Sequence, residues 1–227
     1  MKIVITGGGS GLGAATARLL AKLGHELVLV GRNQTKLKKV AEELGANWVA
    51  CDVSKRTSCE AAANQIGSLD VLINAAGIWT ENDMETKNPD LRRDALLTNT
   101  LGTIEFTYAC LDQLKAAKRG RVVNIVSVAG TLDSRDSASG DWAAYAASKW
   151  GVSGFTHALK DQLKETPVQV MAVCPGGFES DLFEPAGYDE AHNQPWMMQT
   201  DHVAEVVVFA VTRPDDVYME KIVFCRA

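Results

Sequence analysis

The chain has 227 residues, of which 46% are hydrophobic and 22% are charged, a composition that is ordinary for a globular protein. A chain of this length suits one α/β domain with a sizeable buried core, so we predict a single domain over residues 1–227. The formal net charge of −5, without a basic block, excludes the electrostatic footprint of a nucleic-acid-binding protein.

The five cysteines are scattered, without a C-x-x-C pair and without histidines at metal-ligand spacing. An odd, dispersed set fits a reducing cytosol better than a disulfide framework, and it predicts no metal site. The first strand enters a glycine-rich turn at once, which leaves no room for the apolar core of a signal peptide, and no apolar run approaches the length of a membrane span. We therefore expect a cytoplasmic protein with no membrane partner.

Apolar, β-branched runs alternate with helical patterns along the whole chain. The predicted strands are Lys2–Thr6, Glu26–Val30, Asn47–Cys51, Leu69–Asn74, Arg121–Ser127, Val168–Cys174 and Lys221–Phe224. The predicted helices are Ala14–Leu23, Thr35–Leu44, Lys55–Ile66, Pro89–Ala117, Trp142–Lys164 and Asp201–Val211. Strands that alternate with helices predict an α/β fold with a parallel, doubly wound sheet.

The first predicted strand runs into a glycine-rich turn, Thr6–Gly13, with the sequence TGGGSGLG. Glycines there let the backbone bend tightly and approach a pyrophosphate, while the N-terminus of the following helix offers free N–H groups. In this position between a strand and a helix, the turn predicts a dinucleotide site. The alternative is a tight turn without a ligand.

The end of the second strand bears on which nucleotide is bound. A carboxylate at such a strand end would hydrogen-bond an adenosine ribose 2′-hydroxyl, whereas an arginine would suit a 2′-phosphate. Here the acidic position is taken by Gly31, and Arg32 follows it. This favours NADP over NAD, unless Arg32 is a solvated side chain at a helix entrance.

Two further strand ends carry candidate cofactor contacts. Asp52 follows the third strand, where it would meet an adenine edge or cap the next helix, although Ser54 is the better N-cap candidate. The small residues Asn74-Ala75-Ala76-Gly77 close the fourth strand, where a bulky side chain would block a bound cofactor. The alternative for these four residues is a turn signal.

Four polar residues in the second half of the chain are candidates for catalysis. Asn99 and the nearby Gly102 are poor choices inside a helix, so they indicate either a local distortion or a tolerated polar residue. Ser127 ends a strand at the edge where ligands bind in parallel sheets, unless it is a cap or turn serine. Tyr145 and Lys149 stand four residues apart on one helix face, where a cation lowers the pKa of a phenol, unless they form an ordinary surface pair.

Taken together, these residues resemble the short-chain dehydrogenase/reductase family, in order along nearly the whole chain. The match comprises the T-G-x-x-x-G-x-G turn, Asp52-Val53, Asn74-Ala75-Ala76-Gly77, Asn99, Ser127, Tyr145-x-x-x-Lys149 and Pro175-Gly176. The resemblance implies a Rossmann-type fold whose seven-stranded parallel sheet has the order 3-2-1-4-5-6-7. It also implies homodimers or homotetramers assembled through the helices that carry Asn99 and Tyr145.

The resemblance implies a role for each candidate. Tyr145 would be the general acid or base, and Ser127 would hydrogen-bond the reacting oxygen. Lys149 would lower the pKa of Tyr145 and hold the nicotinamide ribose, and Asn99 would hold a water that links Lys149 to solvent. The cofactor would be NADP(H), with NAD(H) as the alternative, and no metal would be required. The implied cofactor contacts are Gly7, Ser10, Gly11, Leu12, Gly13, Arg32, Asp52, Val53, Asn74, Ala75, Ala76, Gly77, Tyr145, Lys149, Pro175, Gly176 and Ser180.

Some segments depart from the family pattern. Ser180 stands where the family usually has a threonine near the nicotinamide amide, and Ser10 replaces the basic residue of many NADP-preferring members. The interval between Ser127 and Tyr145 is longer than usual, and its residues 131–141 would overhang the site, where they would either shape the substrate mouth or form a mobile loop. A predicted substrate lid, Phe178–Gln199, contains Phe183, Tyr188, Trp196, Met197 and Met198, unless these side chains pack on the body of the fold. Trp79 and Glu81–Asn88 would form another wall.

We therefore predict an NADP(H)-dependent oxidoreductase that interconverts a carbonyl and an alcohol on a small organic substrate. A second hypothesis is a non-catalytic NADP(H)-binding redox sensor that acts through a partner protein, because fold does not fix function. The presence of all four catalytic side chains argues against it. A third is an epimerase or dehydratase, which the short chain argues against, since nucleotide-sugar members of the wider family usually carry a larger C-terminal substrate region.

Overall fold

The computed structural model describes residues 1–80, 89–132, 142–180, 182 and 194–227. In these residues seven strands form one sheet in the order β3-β2-β1-β4-β5-β6-β7, and every neighbouring pair is parallel. The predicted α/β class, the Rossmann-type fold and the strand order are therefore confirmed. The strands are β1 Lys2–Thr6, β2 Glu26–Gly31, β3 Asn47–Ala50, β4 Val71–Asn74, β5 Arg121–Ile125, β6 Gln169–Pro175 and β7 Lys221–Phe224.

The helices cover both faces of this sheet. They are α1 Gly11–Lys22, α2 Gln34–Leu44, α3 Arg56–Ile66, α4 Asp90–Ala95, α5 Gly102–Ala109, α6 Leu111–Ala116, α7 Ala143–Gln162 and α8 Thr200–Val211, with a π-helical segment at Leu96–Leu101 and a 3₁₀ turn at Val128–Gly130. In the central strands, successive buried side chains enter opposite cores because strand side chains alternate between faces. Ile3 and Ile5 pack with α1 and α8, whereas Val4 packs with the core of α3, α5 and α7. The continuous apolar runs of the sequence have this cause.

The predicted helix Pro89–Ala117 is interrupted twice. The π-helical segment Leu96–Leu101 separates α4 from α5, and Cys110, with φ −98°, separates α5 from α6. Asn99 lies inside the π-helical segment, and the Thr103 hydroxyl donates a hydrogen bond of 2.7 Å to its backbone carbonyl. Such side-chain bonds to the backbone compete with regular helix bonding, and π-helical turns are rare and frequent at functional sites. The distortion expected at Asn99 is present.

Two local predictions need correction. The strand predicted to end at Ser127 ends at Ile125, because Ser127 instead caps the 3₁₀ turn with its hydroxyl, which accepts a 3.1 Å bond from the Ala129 amide. Helix α3 has Lys55 rather than Ser54 as its N-cap residue. Ser54 is not the cap because its amide and hydroxyl both donate to the carboxylate of Asp52.

Candidate active site

A cavity of about 930 Å³ lies where the carboxyl ends of the strands meet. Ligands bind at this edge in open α/β sheets. Most of the predicted cofactor contacts line it: Gly7, Ser10, Gly11, Leu12, Gly13, Arg32, Val53, Ala75, Ala76, Gly77, Tyr145, Lys149, Pro175, Gly176 and Ser180. Asp52 and Asn74 are the two predicted contacts that do not.

The glycine-rich turn forms a close-packed floor of this cavity. Gly7 has φ +70°, and a Cβ there would stand 3.0 Å from the Ala75 carbonyl oxygen. A Cβ at Gly13 would stand 2.3 Å from the Gly7 carbonyl oxygen, so no side chain fits. Helix α1 begins at Gly11 without a side-chain bond from its N-cap residue Ser10, and its first residues face the cavity. Free N–H groups and the positive end of the helix dipole suit a pyrophosphate.

Two cations line the cavity beside the end of β2. Arg32 follows β2, as predicted, and Lys36 lies in the first turn of α2. The side chain of Asn33 caps this helix by accepting a 3.0 Å bond from the Lys36 amide. A Cβ added at Gly9 would lie 3.3 Å from the Cβ of Lys36, so the Lys36 side chain starts beside the glycine-rich turn. Sequence reasoning missed Lys36, although an N-cap at Asn33 would have indicated its place.

Asp52 and Asn74 serve the fold around the cavity. Burial raises the pKa of Asp52, but hydrogen bonds from Ser54 and the charges of Arg32 and Lys55 together outweigh this, so that the net shift of the pKa is downward. The buried amide of Asn74 donates to the Thr107 hydroxyl at 2.8 Å and to Asn124 at 2.9 Å. These bonds connect β4 to α5 and β5, beneath the small residues that line the cavity.

Tyr145, Lys149 and Ser127 meet at the centre of the cavity. Tyr145 and Lys149 lie on α7, and Ser127 follows β5. The Ser127 hydroxyl is near enough to the Tyr145 phenol to act on its pKa as a hydrogen-bond partner. Lys149 Nζ lies 5.7 Å from the centre of the Tyr145 ring and donates a 3.0 Å hydrogen bond to the Ile125 carbonyl. The structure therefore brings three of the four predicted catalytic side chains together.

The pKa of Tyr145 moves in the direction opposite to the expected one. Burial raises it to about 12, although the hydrogen bond with Ser127 acts in the lowering direction. Burial also lowers the pKa of Lys149 to about 8. The lysine cation is directed at the Ile125 carbonyl and lies over the ring, so its expected effect on the phenol is not seen. At neutral pH Tyr145 keeps its proton, as a proton donor requires.

Asn99 stands behind the cavity and does not line it. Its amide oxygen accepts a 2.8 Å bond from the Ile78 amide, and its amide nitrogen donates to the Ile78 carbonyl at 2.9 Å. A third bond of 2.9 Å joins the same nitrogen to the Ser148 hydroxyl on α7. Asn99 thus holds the segment after β4 against the helix that carries Tyr145.

Another wall of the cavity is formed by residues at and after the end of β6. The Gly176 amide donates a 2.8 Å bond to the Phe224 carbonyl, which fixes the end of β6 against β7. Ser180 lies 3.6 Å from a Cβ at Gly11, and its hydroxyl accepts a bond from the Leu182 amide. Its side chain is therefore close to the start of α1, across the cavity floor.

Part of the predicted substrate lid can be assigned. Met197 is buried against Tyr145 and Trp79, and Met198 packs on the core, so these two side chains lie on the body of the fold. Trp196 lies against Gly177, where an added Cβ would stand 2.2 Å from its ring. Phe183, Tyr188 and residues 81–88 and 133–141 lie outside the described residues. Trp142, which precedes α7, also lines the cavity and was not singled out from the sequence.

The part of the chain that the structure describes contains neither a metal-binding cluster nor a membrane-spanning helix. No group of three or more histidine, cysteine, aspartate or glutamate side chains there could hold a metal ion. No helix in the described part of the chain has both the length and the apolar character that a membrane crossing needs.

Comparison with known proteins gives consistent matches. A family model described as short chain dehydrogenase matches residues 1–191. An uncharacterized oxidoreductase of Staphylococcus epidermidis is 28% identical over 225 residues, which are 96% of this chain and 94% of that protein. The 3-oxoacyl-[acyl-carrier-protein] reductase of Bos taurus is 33% identical over 184 residues, 78% of this chain and 76% of the reductase. The alcohol dehydrogenase of the archaeon Thermococcus sibiricus, solved with 5-hydroxy-NADP, is 25% identical with a TM-score of 0.86, covering 99% of this chain and 95% of that one.

Proposed function

The chain belongs to the short-chain dehydrogenase family, and we propose that it is an NADP(H)-dependent oxidoreductase that interconverts a carbonyl and an alcohol on a small organic substrate. The family and the general oxidoreductase activity rest on the match over residues 1–191 and on the oxidoreductase relatives. The observation that carries the finer proposal is the meeting of Tyr145, Ser127 and Lys149 in the cavity that the glycine-rich turn also lines.

Tyr145 is the proton donor in this proposal. When bound, the reduced nicotinamide supplies a hydride to the carbonyl carbon. The Tyr145 hydroxyl then gives its proton to the carbonyl oxygen, and its raised pKa ensures that the proton is present at neutral pH. The Ser127 hydroxyl donates a hydrogen bond to the same oxygen and stabilises the negative charge that develops there. In the oxidative direction Tyr145 accepts the proton.

Lys149 and Asn99 support this centre. The ammonium of Lys149, whose pKa of about 8 keeps it mostly charged at pH 7, is within the cavity to hold the nicotinamide ribose. Asn99 acts as a positioning residue, since its amide holds Ile78 and Ser148 rather than contacting the cavity. The water link from Asn99 to Lys149 remains a prediction.

The cavity fits the dinucleotide by its shape and donors. Any side chain at Gly13 would collide with the turn backbone, and the start of α1 presents its first residues to the same space. The bovine reductase and the archaeal dehydrogenase act as precedents for the family chemistry, and the latter was solved with an NADP derivative.

Preference for NADP is proposed from two cations. Arg32 and Lys36 both line the adenosine end, and Gly31 leaves no carboxylate to repel a 2′-phosphate. Arg32→Ala and Lys36→Ala should each weaken NADPH binding by about tenfold, which is on the order of one charge-assisted hydrogen bond, and leave NADH binding within about twofold. Lys39→Ala, on the same helix but away from the cavity, is the matched control. Equal losses for NADPH and NADH would contradict this assignment.

The test of the enzyme proposal is Tyr145→Phe. Nicotinamide fluorescence reports NADPH binding, and the loss of nicotinamide absorbance reports turnover against a panel of ketones and aldehydes. We expect turnover to fall at least about a hundredfold, in line with the loss of a positioned general acid, with NADPH affinity unchanged. Full activity in this variant would refute the role of Tyr145. Tight NADPH binding without turnover by the unmodified protein would instead favour the redox-sensor hypothesis.

Self-association is proposed from an exposed apolar surface on the π-helical segment, α5 and α7. This surface comprises Leu96, Leu101, Tyr108 and Trp150, each at least a third exposed. Exposed apolar patches mark interaction sites, and the surface includes the π-helical segment with Asn99 and the helix α7 with Tyr145, through which the family resemblance implies assembly. Trp150→Glu should convert the homo-oligomer to a monomer in sedimentation analysis. An unchanged sedimentation coefficient would show that this surface is not part of the interface between subunits.

The remaining expectations concern compartment and domain organisation. All five cysteines are free, and four of them are buried. Free thiols in this number support a reducing compartment, and we propose the cytoplasm on that ground. We also retain the proposal that residues 1–227 form one NAD(P)-binding catalytic domain.

A further inference from the structure

An aromatic wall stands beside the proton donor. Trp79 is buried in one cluster with Tyr145, Ala129 and Met197, and Trp142 packs against this cluster. The rings of Trp79 and Trp142 meet edge to face, with centroids 6.2 Å apart and an interplanar angle of 65°. Both tryptophans line the cavity. We call this pair the tryptophan wall.

Both members of the tryptophan wall are fixed to the elements that hold the catalytic side chains. Trp79 follows Ile78, whose amide and carbonyl are both bonded to the side chain of Asn99. The backbone carbonyl of Trp142 accepts a 2.7 Å hydrogen bond from the Ala146 amide, so the residue is tied to the first turn of α7. A preorganised wall of this kind orients a ligand at little entropic cost.

Four charged side chains line the same cavity among the described residues, namely Arg32, Lys36, Lys149 and Arg226. Arg32 and Lys36 stand at the adenosine end, and Lys149 Nζ lies 5.7 Å from the centre of the Tyr145 ring. The guanidinium of Arg226 donates a 2.7 Å bond to the Met197 carbonyl. The wall itself presents indole rings.

From these contacts we propose that the substrate carries an aryl group, which packs on Trp79 and Trp142 while its carbonyl oxygen reaches Ser127 and Tyr145. Aromatic rings attract one another in edge-to-face and offset arrangements beyond the burial of their area. An aryl group would continue the edge-to-face arrangement that the two indoles already adopt. The inference rests on the proposed function, because it names the substrate class of the same site.

The test compares two ketones that differ only in the ring. The carbonyl of 4-phenylbutan-2-one is insulated from its ring by two methylene groups, as is that of 4-cyclohexylbutan-2-one, so the two have matched intrinsic reactivity. With NADPH, we expect kcat/KM for the phenyl compound to exceed that for the cyclohexyl compound by about tenfold, mostly through KM. A ratio near one would overturn the inference. A clear preference for pyruvate, a small anionic keto acid, would overturn it as well and would point to Arg226.

Variants of Trp142 separate aromatic contact from simple bulk. Trp142→Leu keeps an apolar side chain but removes the ring, so it should lower the phenyl-to-cyclohexyl ratio of kcat/KM towards one. Trp142→Phe should retain most of the ratio. The control is Phe209→Ala, which truncates an exposed aromatic residue on α8 that does not line the cavity. If Trp142→Leu keeps the full ratio, the tryptophan wall does not select the ring.

Calorimetry separates failure of this inference from failure of the proposed function. Each ketone is titrated into the NADPH complex of the Tyr145→Phe variant, in which turnover is strongly reduced. Tighter binding of the phenyl ketone than of its cyclohexyl counterpart supports the inference even if no ketone is reduced by the unmodified protein. Equal binding of the two ketones contradicts it even if both are reduced.

Discussion

Asn99→Ala offers the sharpest test of how the site is held together. The amide of Asn99 satisfies both backbone groups of Ile78 and bonds the Ser148 hydroxyl, and the residue is only 1% exposed. Removing it leaves the amide and the carbonyl of Ile78 without their partner. A buried polar group left unpaired costs about 1–3 kcal/mol, so the expected loss in the free energy of unfolding is roughly 2–6 kcal/mol. Water that enters the vacated space moves the cost towards the lower figure.

For a chain of this size, the loss corresponds to a fall in Tm of roughly 5–20 °C. Urea unfolding gives the free energy, and hydrogen exchange at the Ile78 amide gives the local effect. The control is Asn33→Ala, which removes an exposed helix cap and should cost about 1 kcal/mol. If Asn99→Ala matches this control and the Ile78 amide keeps its protection, Asn99 does not hold the segment after β4.

Three further predictions follow from other residues of the site. Burial lowers the pKa of Lys149 to about 8, below its usual 10.5. Between these two pH values the unfolded chain binds more protons than the folded chain. The destabilising effect of the buried lysine therefore decreases as the pH rises from 8 to 10.5. From pH 7.5 to pH 10, the free energy of unfolding of the unmodified chain should therefore increase relative to that of Lys149→Met. A difference between the two that stays constant with pH would contradict the burial argument. Ser127→Ala should lower kcat for carbonyl reduction by about 10²–10³-fold. It should also move the alkaline rise of alcohol oxidation to higher pH, because Tyr145 loses the hydrogen bond that lowers its pKa. An unchanged pH profile would show that Ser127 does not act on the pKa of Tyr145. Gly13→Ala should abolish NADPH binding in a fluorescence titration, since its Cβ would stand 2.3 Å from the backbone of the turn, whereas Gly154→Ala, with open space around it, should keep binding and stabilise α7 by about 1 kcal/mol.

The sheet could be predicted from the sequence because its strands are buried on both faces. Continuous apolar runs mark such strands directly, and the glycine-rich turn and the Tyr145–Lys149 spacing are local patterns that need no tertiary information. The strand order came from the family resemblance rather than from any local signal. The start of α3 could not be predicted from the sequence in the same way. The amide and the hydroxyl of Ser54 both donate to the carboxylate of Asp52, and Ser54 does not cap the helix.

The electrostatics of the site could not be read in the same way. The pKa of Tyr145 is raised by the burial of its side chain, which only the packed fold creates. The Lys149 ammonium donates to the Ile125 carbonyl, which lies on a strand distant in the sequence. The contact between Trp142 and Trp79 could not be predicted either, because Trp79 lies 63 positions earlier in the chain and only the fold brings the two rings together. Lys36 is adjacent to the cavity because α2 begins at Gln34, which places Lys36 in its first turn.

The π-helical segment that contains Asn99 also sets how this protein can tolerate changes of sequence. A π-helical turn holds one residue more than an α-helical turn, so one deletion within Leu96–Leu101 would restore ordinary helix bonding and keep the helices on either side in register. The same deletion would move Asn99 relative to Ile78 and Ser148, which its amide now bonds. Many substitutions leave the extra residue in place, whereas a deletion in this stretch removes it. Over evolutionary time, the number of residues here should vary less than their identities.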